Sequence, residues 1–248
     1  MMRLHPHPHP HPHPPPRPQS RHRVPQVFST RCAGCNEPGT DLCDACRFSL
    51  ASSRPVDVGD DVLAALAYEG VARRSILALK FRNRRTVARH LARLIVTRLG
   101  AGASAPLAGA ARSRQFRQFD VVTWAPTGAD RVRSRGYDQA ELLARAVAKE
   151  LRVPCHRLLY RTHGAPQAGH GRADRLVGPG FRGRATRRPL RVLVVDDVIT
   201  TGATLRRAGE ALRLAGIDAV TLVAIAAAPD RVESLVLRHA ASRLAAAS

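Results

Sequence analysis

Apolar residues that favour β structure fill four consecutive positions, Val192 to Val195, and the carboxylates of Asp196 and Asp197 follow at once. A short run of this kind, without alternation, is typical of a strand buried on both faces of a parallel sheet. A Thr/Gly turn, a helical repeat and another apolar stretch come next. The pattern predicts a β–loop–α–β unit with a strand at 191–195, a helix at 203–215 and a strand at 219–226.

The rest of the chain contains further periodic segments. Gly, Pro and Ser clusters mark a loop at 100–110 and a long irregular segment at 161–189. Loops of the latter length are usually functional lids or disordered. Strands that alternate with helices indicate an α/β domain with a parallel sheet. The predicted helices are Val71–Phe81, Thr86–Leu99, Asp138–Leu151 and 230–247, and a further strand, Asp120–Pro126, leads into an Arg-rich loop.

The end of the strand at 191–195 is the strongest candidate for a ligand site, because ligands bind at the carboxyl ends of strands in open α/β sheets. The following turn can direct backbone N–H groups and hydroxyls at one phosphate, with a helix N-terminus behind it. The two aspartates can accept hydrogen bonds from vicinal hydroxyls. This arrangement favours a sugar phosphate; the alternative is a buried strand that ends in a solvated Asp-Asp turn. The turn consists of Thr200, Thr201, Gly202, Ala203 and Thr204.

Four cysteines form two closely spaced pairs, Cys32 with Cys35 and Cys43 with Cys46. Each pair can present two thiolates from one tight turn, and two such turns complete a tetrahedral sulfur site suited to Zn²⁺. We therefore predict a structural zinc site, with redox-active thiols as the alternative. The fifth cysteine, Cys155, precedes an apolar patch and is predicted to be a small core residue.

The chain is strongly basic, with a formal net charge of +21 over 248 residues. Such a charge favours a polyanionic partner such as nucleic acid. Only Lys80 and Lys149 among the 40 basic residues are lysines, however, and Ala, Gly and Pro are abundant. The arginine excess can therefore also reflect GC-rich coding DNA, and both interpretations stay open.

The N-terminal residues 1–31 differ from the rest of the chain. His and Pro alternate from His5 to Pro14, and six of the eleven histidines precede residue 23. The segment has few apolar residues to bury and favours extended polyproline conformations. We interpret it as a disordered tail or as residues added by a misplaced start codon; the alternative is a weak metal-binding tail.

Membrane association is not indicated. No apolar run reaches the roughly 18–20 residues that a spanning helix needs, and the longest candidate, Ala219 to Ala228, is better interpreted as a strand. No apolar segment typical of a secretory signal is visible. We expect a cytoplasmic protein without a membrane span.

The stretch from Val192 to Leu205 resembles the signature of the type I phosphoribosyltransferases, which bind phosphoribosyl pyrophosphate (PRPP). The resemblance implies that Asp196 and Asp197 bind the ribose hydroxyls and that Thr200 to Thr204 hold the 5′-phosphate. In purine-salvage relatives the first residue of this loop is often acidic. Thr200 stands there in this chain, which makes ordinary purine salvage a less favoured function.

Further segments resemble the competence protein F-like (ComF) family, over about residues 32–228. The helix end Leu77-Ala78-Leu79-Lys80-Phe81 looks like that family's LKF motif. Pro126 followed by Arg131-Val132-Arg133-Ser134-Arg135-Gly136-Tyr137-Asp138-Gln139-Ala140 looks like its P…R…RG[FY]NQA motif. Gln167, Arg175 and Phe181 are similar to the markers of its later loop.

The chain departs from the pattern of this family at three positions. Asp138 stands where Asn is usual and adds a negative charge beside the expected pyrophosphate region. Gly178 replaces the Asn that follows the loop arginine, and Asn83 stands where Gly is common. These departures concern the acceptor side of the expected site and leave the PRPP motif intact.

The resemblance implies a reaction in which pyrophosphate leaves C1 of the ribose through an oxocarbenium-like state. Positioning and neutralisation of the leaving group then supply the catalysis. Mg²⁺ suits this task because it keeps waters and binds through phosphates and hydroxyls. Arg131, Arg133 and Arg135 are candidates for holding pyrophosphate, with Gly136 allowing close backbone approach; the alternative is a solvated basic loop.

The expected fold is α/β, of the type I phosphoribosyltransferase class, with a mainly parallel central sheet flanked by helices and a small N-terminal zinc-ribbon-like module. The expected domains are a tail at 1–31, a four-cysteine zinc module at 32–50 and a phosphoribosyltransferase-like domain at 51–248. Arg172 and Arg175 are candidates for a lid that excludes water from the site.

Three classes of function are compatible with these features. The first is a phosphoribosyltransferase that uses PRPP and Mg²⁺, carries structural Zn²⁺ and acts on an unknown acceptor. The second is a PRPP-responsive nucleic-acid-binding protein without turnover, and the third is a scaffold whose zinc module docks competence proteins. The ComF resemblance implies a link to incoming single-stranded DNA in natural transformation. Single-stranded DNA and competence proteins are therefore candidate partners, and an oligomer is compatible with each class.

Overall fold

A computed structural model describes residues 30–53, 56–58, 62–101, 118–162 and 180–228. Some sequence predictions fall outside these ranges. They are the helix at 230–247, nearly all of the tail at 1–31, most of the loop at 100–110, and the positions Gln167, Arg172, Arg175 and Gly178.

The described strands are, in chain order, β1 Val56–Asp57, β2 Val62–Ala67, β3 Val121–Trp124, β4 Leu159–Arg161, β5 Phe181–Gly183, β6 Val192–Ile199 and β7 Val220–Ala227. Five of them form one sheet in the order β1-β2-β7-β6-β3. The last four in this order run parallel, and β1 pairs antiparallel with β2 at the edge. β4 and β5 form a separate antiparallel pair. The predicted parallel sheet is confirmed.

The described helices are α1 Asp44–Ser52, α2 Gly70–Phe81, α3 Val87–Ala101, α4 Ala129–Arg135, α5 Gln139–Leu151 and α6 Ala203–Leu214. Buried side chains of α1, α2, α3 and α5 pack in one hydrophobic cluster with Leu193 and Val195. Those of α6 and of the β4–β5 pair pack in a second cluster with Val192 and Val194. Successive side chains of a strand point to opposite faces, so β6 is buried on both sides, as its apolar run predicts.

The β–loop–α–β unit is confirmed, but its first strand is longer than predicted. β6 continues to Ile199, so Asp196 and Asp197 lie inside the strand rather than after it. The reason is tertiary: β7 stays paired with β6 as far as Ile199 and Ala227, although β3 ends opposite Val195. Neighbouring residues of a strand point to opposite faces, and this applies to the two carboxylates as well.

The predicted Arg-rich loop is wrong for residues 129–135, which form helix α4. Asp130 lies in the first turn of this helix, and Arg133 and Arg135 lie in the last turn. This charge order complements the helix dipole and stabilises a helix that the apolar pattern does not reveal. Gly136 ends the helix in the left-handed region, with φ of 76°.

Three elements were not predicted. β2 reads Val-Leu-Ala-Ala-Leu-Ala, a composition that does not distinguish strand from helix, and only its pairing with β7 makes it a strand. The β4–β5 pair brings together two ends of the segment predicted to be irregular, at 159–161 and 181–183. Helix α1 begins at Asp44, within the segment of the cysteine pairs.

Residues 32–50, here called the cysteine module, pack directly on the helices that follow. Leu42 and Leu50 are buried in the same cluster as the apolar faces of α2 and α3. Arg74 Nε of α2 donates a hydrogen bond to the carbonyl of Gly34, and Arg89 Nη2 of α3 lies 3.2 Å from Asp41 Oδ2. The division of the chain into domains at residue 50 stays a prediction.

Across the described ranges, no helix has both the length and the apolar character that a membrane crossing requires.

Candidate functional site

The carboxyl ends of the parallel strands meet at one edge of the sheet, as the topology requires. β6 ends there at Ile199, and the turn at 200–202 leads directly into α6. β3 ends at the same edge and leads into the turn at 125–128 and then α4. The structure therefore places the two aspartates, the Thr/Gly turn and the three candidate arginines at one edge. We call Asp196, Asp197 and Thr200–Thr204 the strand-end site.

Asp196 is the more accessible of the two carboxylates. It is partly exposed, and its Oδ1 accepts a hydrogen bond from the backbone N–H of Asp197 at 2.7 Å. By strand alternation its side chain lies on the same face as Val194, which is the face covered by α6. Burial and the neighbouring charge of Asp197 raise the pKa of Asp196 above the usual range of a carboxyl.

Asp197 is buried, and both of its oxygens have partners. Its Oδ1 lies 2.8 Å from Nζ of Lys80, at the end of α2, and the Lys80 side chain is only 16% exposed. Its Oδ2 accepts a hydrogen bond of 2.8 Å from Nε2 of Gln139, the first residue of α5. Neither partner was assigned a role from sequence. Lys80 carried one signal, because it is one of only two lysines in the chain.

The turn at 200–202 has the geometry of an anion site at a helix N-terminus. Gly202 adopts φ of 75° at the N-cap of α6, and Ala203 N donates to Oγ1 of Thr201 at 3.3 Å. Thr204 follows in the first turn, where backbone N–H groups lack partners within the helix. Arg206 Nη2 donates to the carbonyl of Thr201 at 2.7 Å, which brings a guanidinium to the same turn.

The three candidate arginines differ in their surroundings. Arg133 forms an ion pair with Asp130 and its side chain is 72% exposed. The guanidinium carbon of Arg135 lies 4.7 Å from the ring centroid of Phe81. Nη1 of Arg135 is buried and has no hydrogen-bond partner among the described residues. Arg131 is exposed and contributes to the field at Arg161.

Arg161, at the end of β4, is a basic residue of this edge that the sequence analysis missed. Its Nη1 donates to the carbonyl of Pro126 at 3.2 Å. Burial and the positive charge of Arg131 lower the pKa of Arg161, whereas Asp196 and Asp138 act in the opposite direction. Arg161 thus lies among the charges of the strand-end site. The sequence offers no local signal for it, because β4 begins a segment that was predicted to be irregular.

The end of α2 is tied to the turn before α5. The hydroxyl of Tyr137 donates a hydrogen bond to the carbonyl of Leu79. The guanidinium carbon of Arg85 lies 4.4 Å from the ring centroid of Tyr137. Because Leu79 precedes Lys80 and Tyr137 stands two positions before Gln139, these contacts fix the two residues that bind Asp197.

The four predicted metal ligands lie together. One sulfur each from Cys32, Cys35, Cys43 and Cys46 falls within 4.8 Å of every other, and the sulfurs of Cys35 and Cys43 are 3.7 Å apart. Four thiolates around Zn²⁺ at about 2.3 Å imply sulfur separations of roughly 3.8 Å, so this cluster fits a tetrahedral ion. The four cysteines could hold a metal ion.

The protein environment prepares one of these sulfurs for ligation. Burial acts to raise the pKa of Cys32, but backbone N–H groups of Cys35, Cys43 and Gly34 outweigh it and lower the pKa to about 6. Burial and the neighbouring cysteine sulfurs raise the pKa of Cys46. A thiolate at Cys32 is therefore available at neutral pH before a metal ion arrives. Cys155 packs partly buried against the core, and burial raises the pKa of its thiol to about 11.

Comparison with known proteins agrees with this geometry. The family of the phosphoribosyl transferase domain matches residues 138–236, a stretch that includes Gln139 and the strand-end site. Competence protein F of Haemophilus influenzae is 29% identical over 160 residues, which cover 62% of this chain and 66% of that protein. The chain thus spans slightly less than two thirds of the length of this relative. The domain match and the relative identify the chain as a ComF-like member of the type I phosphoribosyltransferase superfamily.

Proposed function

We propose that the chain binds PRPP together with Mg²⁺ at the strand-end site. The observation that carries the proposal is that α6 begins at the carboxyl end of β6, directly after a partly exposed carboxylate. Asp196 can accept hydrogen bonds from ribose hydroxyls there, and the first turn of α6 can accept the 5′-phosphate. Asp197 and the residues Thr200, Thr201, Gly202, Ala203 and Thr204 belong to the same proposal.

The phosphate end rests on backbone geometry. Gly202 in the left-handed region opens α6 without a side chain between the turn and a ligand. The positive end of the helix dipole favours an anion at this point. Arg206 bonds to the carbonyl of Thr201 and adds a guanidinium next to the turn.

The pyrophosphate end rests on the arginines at the same edge. Arg131, Arg133 and Arg135 on α4 are the proposed contacts, with Gly136 at the helix end, and Arg161 joins them from β4. Of these, Arg135 has a buried Nη1 without a hydrogen-bond partner within the described part of the chain. A buried guanidinium nitrogen in this state is costly, so an anionic ligand that accepts from it is strongly favoured.

Catalysis, in this proposal, requires no protein nucleophile. The chain holds the ribose through Asp196 and the 5′-phosphate through α6, while the arginines stabilise the leaving pyrophosphate. Mg²⁺, when bound, supplies positive charge to the diphosphate and keeps part of its water shell. The carboxylate of Asp196 and the hydroxyl-rich turn are oxygen donors of the type that Mg²⁺ prefers.

We further propose that the cysteine module holds a structural zinc ion. Cys32, Cys35, Cys43 and Cys46 supply four sulfurs and leave no position for a substrate, which favours a structural rather than a catalytic metal. Leu42 and Leu50 connect this module to the core of the domain.

Nucleic-acid binding is the second candidate function, and exposed aromatic and basic side chains beside the site favour it. Phe81 is 65% exposed next to Arg135, and Tyr137 lies under Arg85. Bases stack on such aromatic rings while arginines contact phosphates. The name of the relative, competence protein F, agrees with a role for single-stranded DNA or competence proteins as partners.

Calorimetry with PRPP and Mg²⁺ tests the first proposal. Asp196→Asn should weaken PRPP binding at least about tenfold, since hydrogen bonds to charged groups contribute this much. Asp218→Asn is the matched control, because Asp218 precedes β7 at the opposite edge of the sheet and is exposed. Equal PRPP binding by wild type and Asp196→Asn would contradict the proposal.

Two assays separate the function classes. Release of pyrophosphate from PRPP, measured against a panel of bases and nucleic acids, distinguishes a transferase from a protein that only binds PRPP. Affinity for single-stranded DNA across a salt series tests the second candidate, because phosphate contacts make log K fall with log salt. Binding that is absent or insensitive to salt would contradict a nucleic-acid role.

A further inference from the structure

We infer that Asp197 is a positioning residue and that Asp196 alone of the pair contacts the ribose. This inference rests on the proposed PRPP function and divides the two neighbouring carboxylates into separate roles. Its basis is that Lys80 and Gln139 occupy both oxygens of Asp197 in the interior of the protein, each at 2.8 Å. We call Lys80 and Gln139 the Asp197 clamp.

The geometry of β6 separates the two side chains. Leu193 and Val195 pack in the cluster of α2 and α5, whereas Val192 and Val194 pack in the cluster of α6. Continuing the alternation by one step places Asp197 toward α2 and α5, where its two partners lie. Asp196 then lies on the face of α6, whose N-terminus is the proposed phosphate site.

Ribose access to Asp197 would require breaking the clamp. Its side chain is 9% exposed and its ion pair with Lys80 is shielded from water. Removing one partner from a buried pair leaves an uncompensated charge, which is strongly unfavourable. A ribose hydroxyl is neutral and cannot replace the ammonium of Lys80.

The clamp is itself supported by contacts between two distant segments. Tyr137 donates its hydroxyl hydrogen bond to Leu79, and Arg85 stacks on the Tyr137 ring. These contacts hold the end of α2 beside the start of α5. The helix end at 77–81 and the Arg-Gly-Tyr segment thereby acquire a common purpose, which is to fix one carboxylate.

Asp197 transmits this fixation to Asp196 through the backbone. The N–H of Asp197 donates to Oδ1 of Asp196 at 2.7 Å, so the peptide that the clamp holds also orients the neighbouring carboxylate. Asp196 is then presented to the ligand in a defined direction, with less conformational freedom to lose on binding.

The test combines unfolding and calorimetry on the full chain. Lys80→Met leaves Asp197 buried without its cation, so we expect lower stability and weaker binding of PRPP with Mg²⁺. Adding Asp197→Asn removes the unpaired charge while keeping an acceptor for Gln139, so the double variant should recover stability and PRPP affinity relative to Lys80→Met. Lys149→Met is the matched control for the lysine change, because Lys149 is exposed on α5.

The decisive comparison is between the double variant and Asp196→Asn. We expect Asp196→Asn to lose at least about tenfold in PRPP affinity, and the double variant to lose distinctly less. A folded double variant that loses as much affinity as Asp196→Asn would overturn the inference, since Asp197 itself would then contact the ribose. Additive effects of Lys80→Met and Asp197→Asn on unfolding would overturn the clamp.

Failure of the PRPP proposal would be distinguishable from failure of the clamp. A wild-type chain that binds no PRPP overturns the ribose role of both aspartates. Non-additive unfolding in the same set of variants would still establish the coupling between Lys80 and Asp197.

Discussion

Asp138 accepts both hydrogen bonds that Thr127 can donate, from its backbone N–H and from its hydroxyl, each at 2.9 Å. The same carboxylate caps α5 by accepting from the N–H groups of Ala140 and Glu141. One side chain therefore ties the turn after β3 to the helix that begins with Gln139. The similar family usually has Asn at this position, but an amide offers one acceptor oxygen where this carboxylate uses two.

Asp138→Asn should therefore destabilise this chain, although it restores the usual residue of the family. The amide can still cap α5, but its NH2 group cannot accept from Thr127, and we expect a loss of about 1–3 kcal/mol. Urea unfolding measures this loss. Asp130→Asn is the control, because Asp130 is 93% exposed and exposed ion pairs contribute roughly 0–1 kcal/mol. Equal stability of Asp138→Asn and wild type would contradict this role of the carboxylate.

The local pattern was sufficient for elements whose identity is decided by their own residues. The four apolar residues at 192–195, the Thr/Gly turn and the amphipathic α5 all fold as predicted, because β-branched runs, turn residues and caps act within a few positions. β2 and the last residues of β6 were missed, because their strand character comes from pairing with β7.

The contacts of the candidate site could be predicted only in part. The residue types at the strand end indicated a sugar-phosphate site, but the placement of Asp196 and Asp197 on opposite faces depends on where β6 ends. The pairing of Lys80 with Asp197 joins α2 to β6, and no periodicity links positions so far apart. The scarcity of lysine in this chain is the only sequence signal that singles out Lys80.

Gly34→Ala should disrupt the cysteine module. A Cβ at Gly34 would lie 2.6 Å from Sγ of Cys46 and 2.9 Å from Cγ1 of Val71. Such overpacking costs about 1–3 kcal/mol, and here it also displaces a proposed metal ligand. Thermal unfolding and metal analysis of the purified protein measure both effects. Gly100→Ala is the control, since a Cβ there meets nothing within 4 Å and should leave stability equal or slightly higher.

Removal of zinc should destabilise the whole domain rather than the cysteine module alone. Cys32, Cys46, Leu42 and Leu50 are buried in the same cluster as α2 and α3, so loss of the metal opens part of the shared core. We expect a chelator to lower the melting temperature of reduced wild-type protein, and Cys46→Ser to resemble the chelated state. Cys155→Ser, outside the cluster of sulfurs, should retain metal. An unchanged melting temperature after complete metal loss would contradict a structural role.

The ion pair between Asp120 and Arg191 should make stability depend on acidic pH. Hydrogen bonds from the side chain and backbone of Arg191 lower the pKa of Asp120 to about 2. Because the folded pKa lies below the unfolded one, the stabilisation is fully present above about pH 4 and is lost as pH falls toward 2. An NMR titration of the carboxyl measures this pKa directly. In Arg191→Gln the pKa should rise toward 3.8, and an unchanged value would contradict the assignment.

Arg135 should contribute more to PRPP binding than the other arginines of α4. Its Nη1 is buried and has no hydrogen-bond partner among the described residues, whereas Arg133 is exposed and paired with Asp130. A charge-assisted hydrogen bond to pyrophosphate is worth about 1.5–3 kcal/mol, so Arg135→Gln should weaken PRPP binding roughly tenfold to a hundredfold. Arg145→Gln on α5, which removes an exposed ion pair with Glu141, is the control.

Calorimetry with PRPP and with pyrophosphate alone locates the contribution of Arg135. Loss of affinity for both ligands would place Arg135 at the pyrophosphate end, because pyrophosphate lacks the ribose and the 5′-phosphate. Loss for PRPP alone would instead indicate an effect on the ribose half of the site. If Arg135→Gln bound both ligands as well as Arg145→Gln does, the cation–π contact with Phe81 would be the whole role of Arg135.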